Sequence, residues 1–127
     1  MIKLASILGA YHLRTIKSFE HLDFKPMESH GEDAVQAIVE LHNGLSVSIV
    51  RHQFSYGSEK GLYEMGVFNP DGKMVMIDKW GDEVKGYLSE SDVIEELDSL
   101  SHISPERLPR PKPEQPKYRE YYPDENL

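Results

Sequence analysis

The chain has no cysteine, one tryptophan and no long apolar run. Without cysteine there is no disulfide framework and no thiol chemistry, and zinc would have to be held by histidine and carboxylate alone. No stretch approaches the ~20 apolar residues needed to span a bilayer. The apolar opening, residues 1–10, is too short and interrupted for a secretory leader, so a cytoplasmic location is expected. Basic residues are scarce, 14 Lys and Arg against 22 Asp and Glu. The deficit is concentrated. Residues 26–103 hold five bases and fifteen acids, whereas 104–127 hold five of each. Nucleic-acid binders usually carry a basic patch, so the expected partner is a protein, with no direct nucleic-acid contact and no membrane.

Chemistry-bearing motifs are also missing. No Ser sits in a G-x-S-x-G elbow, no glycine-rich loop precedes a helix, and no H-E-x-x-H frame occurs. The six histidines lack i, i+4 spacing. His30-Gly31-Glu32-Asp33 gathers an imidazole and two carboxylates, a composition equally suited to an ordinary turn. No metal, cofactor or catalytic residue is assigned, and the chain is not expected to be an enzyme.

What is present specifies an α+β domain over 1–103 and a Pro- and Tyr-rich extended tail over 104–127. The expected sheet is antiparallel, of about four strands in two consecutive hairpins. The first hairpin joins 34–41 to 45–50 through His42-Asn43-Gly44. A two-residue turn would set Leu41 against Ser46. A three-residue loop with Gly44 in the left-handed position sets Leu41 against Leu45, Val39 against Val47 and Ala37 against Ile49, giving one apolar face. The second hairpin, 62–68 to 73–77 around Asn69-Pro70-Asp71-Gly72, should pair Val67 with Val75 and Met65 with Ile77.

Ser89 with Asp92 resembles a capping box, opening a helix from about Glu90 to His102 with Val93, Leu97 and Leu100 on one stripe and Pro105 blocking continuation. Leu4, Ile7, Leu8 and Tyr11 have helical spacing, which suggests an N-terminal helix.

Three segments are candidates for recognition. Between the hairpins, Arg51, His52, Phe54, Tyr56, Glu59 and Lys60 mix aromatic and charged anchors in a long loop with two glycines; alternatively Phe54 and Tyr56 tuck onto the core. The stretch 78–98 holds eight acids and two lysines, with Asp82, Glu83, Glu95 and Glu96 forming an acidic face for a basic partner or simply a solvated one. In the tail, Pro109, Pro111 and Pro113 suit a polyproline II segment, and Tyr118, Tyr121 and Tyr122 suit anchors on the same domain or a second protomer.

The segment Ser55-Tyr56-Gly57-Ser58-Glu59-Lys60-Gly61-Leu62-Tyr63-Glu64, with the later Gly86-Tyr87-Leu88 before an acidic helix, resembles small uncharacterised accessory proteins of tailed bacteriophages. The likeness covers about residues 34–100 and excludes the head and tail. It implies a viral origin and the host cytoplasm, and transfers no catalytic residue. The expected function is a non-enzymatic protein-interaction module, phage-encoded, binding a host or viral protein. The alternatives are an assembly protein that oligomerises through its tail, and a small metal-independent hydrolase that would need His52 or His30 and nearby carboxylates in one pocket.

Overall fold

A computed structural model describes residues 18–113. The expected N-terminal helix, with its apolar positions at 4–11, lies outside the described residues, as do Tyr118, Tyr121 and Tyr122.

Five strands form one antiparallel meander in the order β1 (Lys25–Pro26), β2 (Val35–Glu40), β3 (Ser46–Arg51), β4 (Tyr63–Phe68) and β5 (Val84–Leu88). One helix, α1 (Glu90–Ser101), follows. The class is α+β, with five strands rather than about four.

The β2–β3 hairpin takes the register that side-chain alternation requires. Val39 pairs with Val47 and Ala37 with Ile49. The Leu41 amide donates to Leu45 O at 2.8 Å across the loop, and Gly44 has φ 101°. The resulting inner face, with Met65 and Val67 added from β4, is fully buried.

Helix α1 closes this face with Val93, Leu97 and Leu100. Each contributes roughly 1.5–3 kcal/mol by leaving water. Its start is the expected capping box: Ser89 Oγ accepts the Asp92 N–H at 3.1 Å, and Asp92 Oδ2 accepts the Ser89 N–H at 3.0 Å. Its end is held by a residue the sequence assigned only to a turn. Asn43 Nδ2 donates to Leu100 O (3.0 Å) and Ile103 O (2.9 Å), while its Oδ1 accepts the Leu45 N–H (3.2 Å). One buried amide thus ties the first hairpin to the carbonyls at and just beyond the end of the helix, adding a second donor to Leu100 O, which also accepts the Ile103 N–H at 3.3 Å.

The second expected hairpin is corrected. Its loop forms as read, with Asn69 Oδ1 accepting the amides of Asp71 and Lys73 and Gly72 at φ 81°. The expected register survives at Phe68 with Met74 and in the Val75 N–H to Val67 O bond of 2.9 Å. Beyond that the chain leaves β4. The Met76 amide donates to Arg110 O, and Ile77 bridges to Asp82. The place beside Met65 expected for Ile77 is taken by Lys85 of β5. Beside this departure the Met74 methyl lies over the bare Gly66: a Cβ there would sit 2.8 Å from Met74 Cε, the movable end of a flexible side chain.

The opposite face of the sheet carries the row Ile38, Ser48, Gly66 and Val84, with Gln36 Nε2 donating to Ser48 Oγ at 2.9 Å. No helix among the described residues is long and apolar enough to cross a membrane.

Candidate functional site: an exposed aromatic rim on a docked loop

The loop after β3 begins with a tight turn built on Ser55. Its buried Oγ accepts the His52 N–H and donates to His52 O, both at 2.9 Å. His52 Nδ1 accepts the Phe54 N–H at 3.1 Å. These bonds leave the Phe54 ring pointing outward, 76% exposed. A 3-10 turn, Ser58–Lys60, follows between Gly57 (φ 95°) and Gly61 (φ 75°). Both glycines adopt the left-handed region that L side chains avoid.

The loop then lies across the outermost strand. Tyr56 O accepts the Tyr87 N–H at 3.1 Å, and a Cβ on Gly57 would lie 2.9 Å from Tyr87 Cα. The β4–β5 register shifts between Tyr63 and Met65, a bulge. Tyr87 itself has φ 59°, the only positive φ at a non-glycine residue among the described residues. Bulges and such conformations store strain and re-aim side chains, and they concentrate at functional sites. Here the backbones of Tyr56 and Tyr87 are joined and both side chains reach the surface, 59% and 54% exposed. Lys60 Nζ lies 6.0 Å from the Tyr87 ring centroid.

Beneath this rim Glu64 is partly buried. Desolvation pushes its carboxyl above the ordinary 4.5, against the opposing effect of the Tyr56 backbone hydrogen bond. Arg51 faces inward rather than into the rim: its Nη1 donates to Tyr63 Oη at 3.0 Å, and the guanidinium lies 4.9 Å from the Tyr63 ring. Tyr63 packs with Phe19 and Phe24 at 5.0 and 5.4 Å, so Arg51 caps an aromatic cluster.

The other sequence candidates divide. Glu96 accepts from Trp80 Nε1 (2.9 Å) and pairs with Lys79 (3.3 Å), so it anchors the turn before β5. Asp82 Oδ1 accepts the Glu83 N–H at 2.6 Å. Glu95, Asp82 and Glu59 are exposed and Glu83 is half-buried. The start of the tail returns to the body. Leu108 packs against the core, the turn Pro105–Arg107 follows Ser104, and Arg110 is tied to Met76. Pro109, Pro111 and Pro113 border a groove of about 720 Å³ beside Met76, Leu100 and Ile103. His30 and His52, separated by 21 intervening positions in the chain, have ring centroids 4.9 Å apart. Tyr87 was not among the sequence candidates; it stood only within the Gly86-Tyr87-Leu88 segment that carries the phage resemblance.

No protein-family model, curated protein or solved structure matches this chain.

Proposed function

We propose that the chain is a non-enzymatic protein-interaction module, encoded by a tailed phage, that binds a host or viral protein through the rim of Phe54, Tyr56 and Tyr87. The observation that carries this reading is the combined exposure of three large aromatic rings on a backbone fixed by glycine contacts and hydrogen bonds. Aromatic anchors on a rigid frame lose little entropy on binding and dominate interface energetics. Lys60 and Glu59 flank the rim with charge of both signs, which suits a polar border around an aromatic centre. The net charge of −8 favours a basic partner surface.

A hydrolase reading draws on the meeting of His30 and His52, with Glu32 and Asp33 beside them. The hydrogen bonds of the two rings go to Ser29 Oγ and the Phe54 amide. Neither ring is oriented by a carboxylate, which favours binding over acid–base chemistry.

Photo-crosslinking tests the proposal. A photoreactive phenylalanine analogue at position 54 should capture a discrete protein adduct in host or infected-cell lysate. The same probe at exposed Asp71, in the β4 turn, should not. Identical labelling from both positions would remove the rim as a binding surface.

A further inference from the structure

Apart from the aromatic rim, a cleft of about 290 Å³ opens between the 28–34 turn and the start of the 52–62 loop. Its half-buried side chains are nitrogen-rich: His30, Arg51 and His52. The Arg51 guanidinium is held by the Tyr63 hydroxyl and stacked over the Tyr63 ring, so its fork is oriented before any ligand arrives. His52 Nδ1 is occupied by the Phe54 amide, which places the proton of the neutral ring on Nε2 and makes that nitrogen a donor. The His30 ring lies 4.9 Å away. Gln53 and Ser58 add neutral polar groups. The charged groups of opposite sign are Glu32 and Asp33, both exposed, where water and salt screen them.

A cation is the poorer occupant. No group of three or more His, Asp or Glu among the described residues is arranged to hold a metal ion. A preorganised Arg fork with two imidazoles matches the planar or tetrahedral oxygens of an anion, to which Arg donates charge-assisted, bidentate bonds.

We propose that this cleft is a binding site for an oxyanion group, a phosphate or a carboxylate, seated on Arg51 with His30 and His52 as further donors. The cleft adjoins the rim at His52, whose ring lies 6.3 Å from that of Phe54, but the proposal does not require the rim's protein partner. An anion seated there favours the charged form of His52, opposing the burial and the His30 charge that lower its pKa.

Histidine ring NMR on the full chain tests the proposal, with sulfate and acetate titrated separately at constant ionic strength. Sulfate keeps its charge across the pH range used, so any pH effect belongs to the protein. Saturable shifts are expected at His30 and His52 at pH 6.0, with His21, His42 and His102 still. The dissociation constant should rise about threefold or more between pH 6.0 and 7.5, as imidazolium charge is lost. Tighter sulfate than acetate identifies a phosphate-type ligand, and the reverse a carboxylate. His30→Gln, away from the Tyr63 cluster, should weaken binding severalfold and leave the melting temperature unchanged. Linear shifts spread over all histidines would overturn the site. So would silence toward both anions, or a saturable response to Zn²⁺ alone.

Discussion

The backbone of Tyr56 lies against the bare face of Gly86: a Cβ built there would overlap the Tyr56 Cβ and come within 3.1 Å of its carbonyl oxygen. The close approach lets a loop from the far end of β3 dock across β5 and join the backbones of Tyr56 and Tyr87. Gly86→Ala should therefore cost about 1–3 kcal/mol, because the obstructing atoms belong to backbone and Cβ and have little freedom to yield. Chemical denaturation measures the cost, and tyrosine ring NMR should show Tyr56 and Tyr87 displaced. An unperturbed Gly86→Ala protein would mean that the loop is not seated on β5.

Asn43 should be the most sensitive polar residue of the fold. Asn43→Ala removes the Asn43 donor from Ile103 O and Leu100 O, the latter keeping the Ile103 N–H, and removes the Asn43 acceptor from the Leu45 amide. Removing partners from buried polar groups costs about 2–3 kcal/mol at such a site. Asn43→Asp should be at least as damaging, since a carboxylate cannot donate to the two carbonyls. Urea unfolding of both variants checks the order.

Two groups give the stability opposite pH dependences. Burial, and second the charge of His30, lowers the His52 pKa below 6.5. Its stabilising effect is complete above pH 6.5 and lost as the pH falls through the folded value. Burial raises the Glu64 pKa above 4.5, so its effect is complete below 4.5 and lost as the pH rises through the folded value. His52→Gln should flatten the fall in melting temperature between pH 7 and 5.5. Glu64→Gln should raise the melting temperature at pH 7 and change it little at pH 4, with its amide oxygen still able to accept the Tyr56 N–H. Melts of both variants across pH separate the two effects.

The strap after the helix is part of the body's packing. A chain ending at Ile103 loses the Arg110 acceptor of the Met76 amide and the Leu108 side chain from the core margin. It should melt several degrees lower, as expected for about 1–2 kcal/mol in a domain of this size. Light scattering on the same chain tests the assembly alternative, which requires the oligomeric state to change.

What the sequence disclosed follows from how local each signal is. Alternation in 34–50 admits only one register with a coherent apolar face, and Ser89 with Asp92 needs only its own turn to cap α1. The run 73–77 looks like a strand because Val75 and Ile77 are buried, yet its later partners are Arg110 and Asp82, far apart in the chain. β5 was illegible because Gly86 and the left-handed Tyr87 interrupt its alternation, and β1 because it spans two residues, one of them Pro26. The loop 51–61 stood out by its length and aromatic content. Its docking on Gly86 did not, since steric contact between residues thirty apart leaves no periodic trace. Arg51 looked like an anchor and turned inward because Tyr63 offers both a hydroxyl and a ring face.

The most direct measurement replaces the three exposed rings together, Phe54→Ser, Tyr56→Ser and Tyr87→Asn, Asn being chosen because it tolerates positive φ. Partner capture and thermal melting are then read on the same preparation. Capture lost with the melting temperature held within a few degrees is expected of rings that serve binding. Capture retained at the wild-type level would contradict the proposed role of the rim, and a collapsed melting transition would return the three rings to the scaffold.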